Sequence, residues 1–368
     1  MAYVKFTLLI FLLFCGFAQA QTSKDIVIGK RDSLYSHILK ENRELWVYVP
    51  PLENPDIRSA TYPVLYVLDG DRLFLQTAGI LDHLSGPYSG ERCPKMIIVG
   101  IVHSNRIKDL LPITKDGALE TCDDFTAFVE NELIPYVGRT YPTQPYRTFL
   151  GHSLGGLRVA NTLLSQPKIF NAYIALDPSA GHDKGLWSER SSKLIPQKKL
   201  SAKSFYLEMA HTMPKGMDTS AIFRDTSGAA RHMRCIMKLA KTFRAHPQTG
   251  LRFNWKYNPN LTHGDVTFTG TFDGLKDIFS WYPNPDRRKI FDAKVGTEQA
   301  LAIIENKYGD ISLRMGYAVL PSEEYVMEIV GQLLDMGQTE KAKAFARLNI
   351  RNYPESELAK FYLKEIGE

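Results

Sequence analysis

TFLGHSLGGLRVANTLLSQP, residues 148–167, decides how this chain is read. The run RTFLG (147–151) has strand character, and LGGLRVANTLLSQ (154–166) has helical spacing. Between them Gly151, Gly155 and Gly156 crowd around Ser153. An ordinary loop does not need three glycines so close together. A backbone forced through a very tight strand-to-helix turn does. Gly151-His152-Ser153-Leu154-Gly155 is therefore G-x-S-x-G in the context that a nucleophile elbow requires. The strand delivers the serine, the turn strains its backbone, and small neighbours let the turn pack. The first amides of the following helix point toward developing negative charge, which makes the Leu154 N–H an expected oxyanion donor.

Working outward, PVLYVLDG (63–70), MIIVGIV (96–102), AYIALDP (172–178), SFYLEMA (204–210) and LRFNWKYN (251–258) read as strands. ELWVYVP (44–50) alternates apolar and polar residues and is expected to pair with SHILK (36–40) as a hairpin. Helical spacing recurs at LFLQTAGILDHL (73–84), CDDFTAFVENELIPYVGRTY (122–141), ARHMRCIMKLAKTF (230–243) and FTGTFDGLKDIFSWY (268–282). Strands alternating with helices predict an α/β domain over about residues 25 to 285, with a mostly parallel sheet covered on both faces. Tyr282-Pro-Asn-Pro-Asp marks a boundary. Beyond it, 286–368 is expected to be a small helical extension. EEYVMEIVGQLLDMGQTEKAKAFARLNIRNYPES (323–356) reads there as a tetratricopeptide-like helix pair. One such unit cannot bury its own face, so it is expected to pack on the main domain, on a protein partner or on a second copy.

A serine hydroxyl is a weak nucleophile and needs a base, which in turn needs an orienting carboxylate. Elbow-bearing sheets present these in the order serine, acid, histidine. His263, in PNLTHGDV after the last expected strand, is the candidate base. His232 reads instead as part of a helix with its own apolar face, and Glu208 lies within a strand. For the acid, Asp218 in the loop after SFYLEMA comes first. Asp225, which also reads as a helix cap, and Asp177 at the end of ALDPS stay open. The second oxyanion donor is expected in LDGDRLF (68–74), at the N–H of Asp71 beside Gly70. Arg106 and Asp109 are expected either to contact substrate or to pair with each other.

The chain has 368 residues, 44% hydrophobic and 23% charged, which is an ordered globular composition. A net charge of +5 without a long basic run argues against a nucleic-acid partner. MAYVKFTLLIFLLFCGFAQA (1–20) carries one lysine, a short apolar core and a small-x-small end, the pattern of a secretory signal peptide cleaved before Gln21. The expectation is an exported protein, periplasmic or secreted, with no membrane span after cleavage. In that compartment Cys93 and Cys122 are the expected pair, with three unpaired thiols as the alternative.

ELWVYVPP, YPVLYVLDGDRLF, KMIIVGI, NRIKDLLP, NELIPYV, YRTFLGHSLGGL and THGDV, in that order, resemble the putative-esterase group of the α/β-hydrolase fold. That group includes enterochelin-esterase-like, esterase-D-like and feruloyl-esterase-like enzymes. The resemblance implies hydrolysis of a carboxylic ester through an acyl-serine intermediate, without metal or organic cofactor. It implies Ser153 as nucleophile, His263 as base, Leu154 as oxyanion donor and Asp218 as acid. Siderophore-type, acylated-glycan and small acyl esters all fit as substrates. An acyltransferase on the same scaffold and a binding protein with a retired site are the alternatives. The tryptophans that relatives often place after the sixth strand are missing here, or delayed to Trp187.

Overall fold

A computed structural model describes residues 26–51, 60–86, 89–112, 123–213, 220–365 and 367. The expected signal peptide, Cys122 and Asp218 lie outside these residues. Eight strands form one sheet: β1 (Lys30–Ser36), β2 (Glu41–Tyr48), β3 (Tyr62–Leu68), β4 (Ile97–Ile101), β5 (Thr143–His152), β6 (Ala172–Leu176), β7 (Ser204–Ala210) and β8 (Arg252–Asn258). Their order is β1-β2-β4-β3-β5-β6-β7-β8. β1, β2 and β4 pair antiparallel, and every pairing from β4 to β8 is parallel. β3, β4 and β6 are buried at every position, as unbroken apolar runs in a sheet covered on both faces must be. β1 and β8 lie at the edges and alternate in burial.

The expected hairpin is displaced. KRDSLYS forms the first strand, and residues 37–40 form the turn to β2. Ser36 closes this turn by accepting the Leu39 N–H at 2.9 Å while donating to Glu132, and Lys40 takes a left-handed φ of 59°. The alternation of β1 is hidden in sequence because its inward positions include Asp32 and Ser36 while Tyr35 faces outward.

Helices α1 (Gly70–Ser85), α2 (Arg106–Leu110), α3 (124–140), α4 (Leu154–Ser165), α5 (Leu186–Leu194), α6 (Gly228–Ala245) and α7 (Val266–Ile278) cover the sheet. Asp123 caps α3 by accepting the Thr126 N–H and pairs with Arg158, buried on α4. Two apolar clusters lie on the two faces. One joins Phe128, Phe149, Leu157 and Leu239; the other joins Leu65, Phe74, Ile174 and Leu275. No helix among the described residues is long and apolar enough to cross a membrane.

The C-terminal region adds α8 (Arg287–Ile290), α9 (Thr297–Met315), α10 (Glu323–Asp335), α11 (Thr339–Asn352) and α12 (Glu357–Glu365). α10 and α11 are the helix pair read from sequence, and Gly337 turns between them at a φ of 71°. Their apolar faces close on Ala300 and Ile304 of α9. The same helix places Ile311 and Met315 in the cluster under the sheet. A cavity of about 370 Å³ lies in this junction, beside Tyr62, Pro63, Gln144, Tyr308 and Met315. It sits at the amino ends of β3 and β5, away from Ser153.

Arg106 and Asp109 do not pair with each other. Asp109 takes both guanidinium nitrogens of Arg43 at 2.5 and 2.7 Å, and His103 Nδ1 lies 2.9 Å away. Arg43, His103 and Asp109 are all buried. Burial alone would raise the Asp109 carboxyl, but the His103 and Arg43 hydrogen bonds hold it below the ordinary range. Removing one partner leaves a buried charge uncompensated. We expect Asp109→Ala to lose about 3–5 kcal/mol of stability, read by denaturant unfolding.

Candidate active site

Three residues at the carboxyl ends of adjacent strands carry positive φ. They are Asp69 after β3 at 54°, Ser153 after β5 at 59° and Asp177 after β6 at 39°. Side chains other than glycine adopt this region rarely, and strain of this kind concentrates at functional sites. The elbow is as tight as its glycines suggest. A Cβ on Gly151 would lie 2.4 Å from the backbone of Gly155. Ser153 donates its N–H to Leu176 O, and its own carbonyl accepts the Ser179 N–H. The turn is thereby stitched to the end of β6. Leu154 opens α4, so its amide has no intrahelical acceptor, as expected for an oxyanion donor.

His263 lies on the loop between β8 and α7. Its Nδ1 sits 2.5 Å from Asp177 Oδ2. The carboxylate beside the base is therefore Asp177, one of the three acids left open, and not Asp225. Asp225 is partly exposed and accepts the Ser227 N–H, but it is not the helix cap read from sequence: Ser227 caps α6 by accepting the Ala230 N–H. Asp218, ranked first from sequence, lies outside the described residues, and His263 already has its carboxylate. Glu208 is buried in β7 and accepts from Tyr206, and its carboxyl is raised chiefly by burial.

Asp177 has no exposed surface. Burial alone would push its pKa up. Hydrogen bonds from His232 and His263, the charge of His232 and the Ala210 amide outweigh that and hold it at about 2. The carboxylate stays ionised throughout the working range of an imidazole base.

The Asp71 loop is also in place. Arg72 and Leu73 donate to Asp69 O, so the Gly70 and Asp71 amides precede the first helical hydrogen bonds of α1. The glycine at position 70 has a packing reason: a Cβ there would lie 2.4 Å from the Gly100 backbone. Arg106 clamps Asp69 through Nε at 2.5 Å and Nη2 at 2.9 Å. The same Nη2 reaches the carbonyl of His152 at 3.5 Å. One guanidinium thus spans the expected oxyanion loop and the nucleophile turn.

Three neighbours were not singled out as site residues from sequence. Ser179 Oγ lies 3.0 Å from Ser153 Oγ. His152 donates Nε2–H to the carbonyl of His263 at 2.6 Å and so ties the base's loop to the elbow. His232 Nε2 lies 3.1 Å from Asp177 Oδ2. Asp177, His232 and His263 bring three potential metal-ligand atoms within 4.8 Å of one another. As they stand, these atoms are hydrogen-bonded. Two ligands on one tetrahedral ion at bonds of about 2.0 Å would stand roughly 3.3 Å apart. Trp187 is no substrate shelf: it is buried and donates Nε1–H to Asn161. Cys93 and Cys235 are buried free thiols, and Cys122 is outside the described residues.

An eight-stranded sheet in this order, with a serine on a strained turn after β5 and a histidine–aspartate pair beside it, is an α/β hydrolase. Residues 36–269 match the family described as "Putative esterase", and the chain belongs to that family. The chain is 32% identical over 160 residues to the ferri-bacillibactin esterase BesA of Bacillus subtilis, a match covering 38% of this chain and 55% of that protein. It is 28% identical over 136 residues to the siderophore triacetylfusarinine C esterase of Aspergillus fumigatus, covering 32% and 44%. These matches span about half the length of the curated relatives. Among solved structures, an IroE-like serine hydrolase from Shewanella oneidensis is similar at a TM-score of 0.70 and 26% identity, over 88% of this chain and 99% of that one.

The histidine before the nucleophile makes the fold sensitive to acid. Burial, then the neighbouring His263, depress the His152 pKa from 6.5 to about 4. Below 6.5 the unfolded chain binds a proton that the folded chain refuses. The stabilisation is therefore full above that value and is lost as the pH falls toward 4. We expect a loss on the order of 3 kcal/mol across this window from His152 alone. His152→Gln keeps an N–H donor and does not titrate. Unfolding curves at a series of pH values should show a flatter slope for that variant.

Proposed function

We propose that this chain is an exported serine carboxylic-ester hydrolase acting on a siderophore-type ester. The observation that carries the chemistry is the 2.5 Å contact of His263 Nδ1 with buried Asp177, beside a serine held at φ 59°. In the proposed cycle Ser153 Oγ turns from Ser179 to His263 Nε2, gives up its proton and attacks the ester carbonyl. The amides of Leu154 and Asp71 stabilise the oxyanion, often the largest single contribution. His263 returns the proton to the leaving alcohol. Water, deprotonated by the same imidazole, then releases the acid from the acyl-serine. Asp177 holds the imidazole in the tautomer with Nδ1–H and stabilises the imidazolium.

The names of the similar proteins favour siderophore esters over acylated glycans, since one is a ferri-bacillibactin esterase and another a siderophore triacetylfusarinine C esterase. Export rests on residues 1–20, whose pattern supports cleavage before Gln21.

The test is hydrolysis of p-nitrophenyl butyrate, ferri-bacillibactin and triacetylfusarinine C by the mature protein and its variants. Ser153→Ala, His263→Ala and Asp177→Asn should each lower kcat by about 10³–10⁴. Asp218→Asn should stay within roughly threefold of wild type. An Asp218→Asn loss equal to that of Asp177→Asn would sink the assignment of the acid. Hydrolysis of the p-nitrophenyl ester without either siderophore would sink the substrate class. N-terminal sequencing of exported material should begin at Gln21.

A further inference from the structure

We propose that His232 is a positioning residue for this reaction, holding Asp177 in the rotamer that presents Oδ2 to His263. The proposal rests on the serine-hydrolase reading above. Both imidazoles converge on one oxygen: His263 Nδ1 at 2.5 Å and His232 Nε2 at 3.1 Å from Oδ2. The other oxygen, Oδ1, accepts the Ala210 N–H at 3.0 Å. A carboxylate free to turn about its Cβ–Cγ bond would exchange its two oxygens. A backbone donor on one side and a helix-borne imidazole on the other prevent that exchange.

His232 is well placed for this role. It stands just beyond the first turn of α6, whose start is fixed by the Ser227 side chain accepting the Ala230 N–H. Its ring meets that of His263 edge-on, with centroids 5.6 Å apart. Its side chain is only 16% exposed, against 43% for His263. The more exposed partner is thus the base, and the less exposed one holds the carboxylate. During proton transfer His263 becomes a cation, and its stabilisation depends on Oδ2 staying in line with Nδ1–H.

The test compares His232→Ala, His232→Leu and His232→Gln with wild type on p-nitrophenyl butyrate, beside Ser153→Ala. Glutamine carries an amide nitrogen where Nε2 stands; leucine fills the space without a donor. Ala and Leu should lower kcat about ten- to a hundredfold with KM little changed. Gln should recover to within about threefold. The low-field proton resonance of His263 Nδ1–H should shift in Ala and Leu and hold in Gln. Full kcat in Leu, or a Gln variant as slow as Leu, would overturn the proposal. The Leu and Gln pair decides even where Ala does not fold. An inactive Ser153→Ala beside a fully active His232→Leu overturns this proposal alone. A Ser153→Ala that still turns over overturns the serine reading and this proposal with it.

Discussion

The site depends on one carboxylate that has no access to water. Asp177, at the end of β6, sits where an unpaired charge would not be tolerated. It persists because three donors from three different elements meet it: an amide of β7, an imidazole of α6 and an imidazole of the loop after β8. Each of those elements is therefore tied to the end of β6. Changing any donor leaves the charge less compensated, so stability and chemistry share the same contacts here.

Backbone strain follows the same geography. Asp69, Ser153 and Asp177 lie at the ends of three neighbouring strands in the left-handed half of φ space. Hydrogen bonds hold each of these residues: Arg106 grips the Asp69 carboxylate, Leu176 and Ser179 the Ser153 backbone, and Ala210 the Asp177 carboxylate. The sheet supplies rigid strands, and the strain is confined to the single residue that leaves each one. That arrangement places the Ser153 hydroxyl and the buried Asp177 carboxylate at the ends of neighbouring strands without a long loop.

Much of this was legible in the amino-acid sequence because it is local. β3, β4 and β6 are continuous apolar runs, and the glycines around Ser153 lie within five positions of one another. His263 could be found because it alone follows the last strand on a glycine-bearing loop. What escaped was non-local. Asp177 meets its two histidines across 55 and 86 residues, and no local pattern announces that meeting. His232 looked like one more polar residue on an amphipathic helix. The available signal was the aspartate placed at a strand end just before Pro178. β1 was misplaced because polar Asp32 and Ser36 face inward while Tyr35 faces outward, and α9 was not read as an element because its apolar stripe faces two different clusters.

That double facing of α9 has a consequence for how the molecule comes apart. The prolines near residue 283 mark a change in composition, yet α9 places Ile311 and Met315 under the sheet and Ala300 and Ile304 among the terminal helices. One rigid rod is shared by two hydrophobic interiors. A fragment ending at the prolines would leave the cluster of Tyr146 and Phe279 without Ile311 and Met315, and the remaining helices, which keep α9, would carry those two side chains uncovered. The two parts should therefore melt as one cooperative unit, and a protease cutting at the prolines would release two sticky surfaces instead of two independent domains.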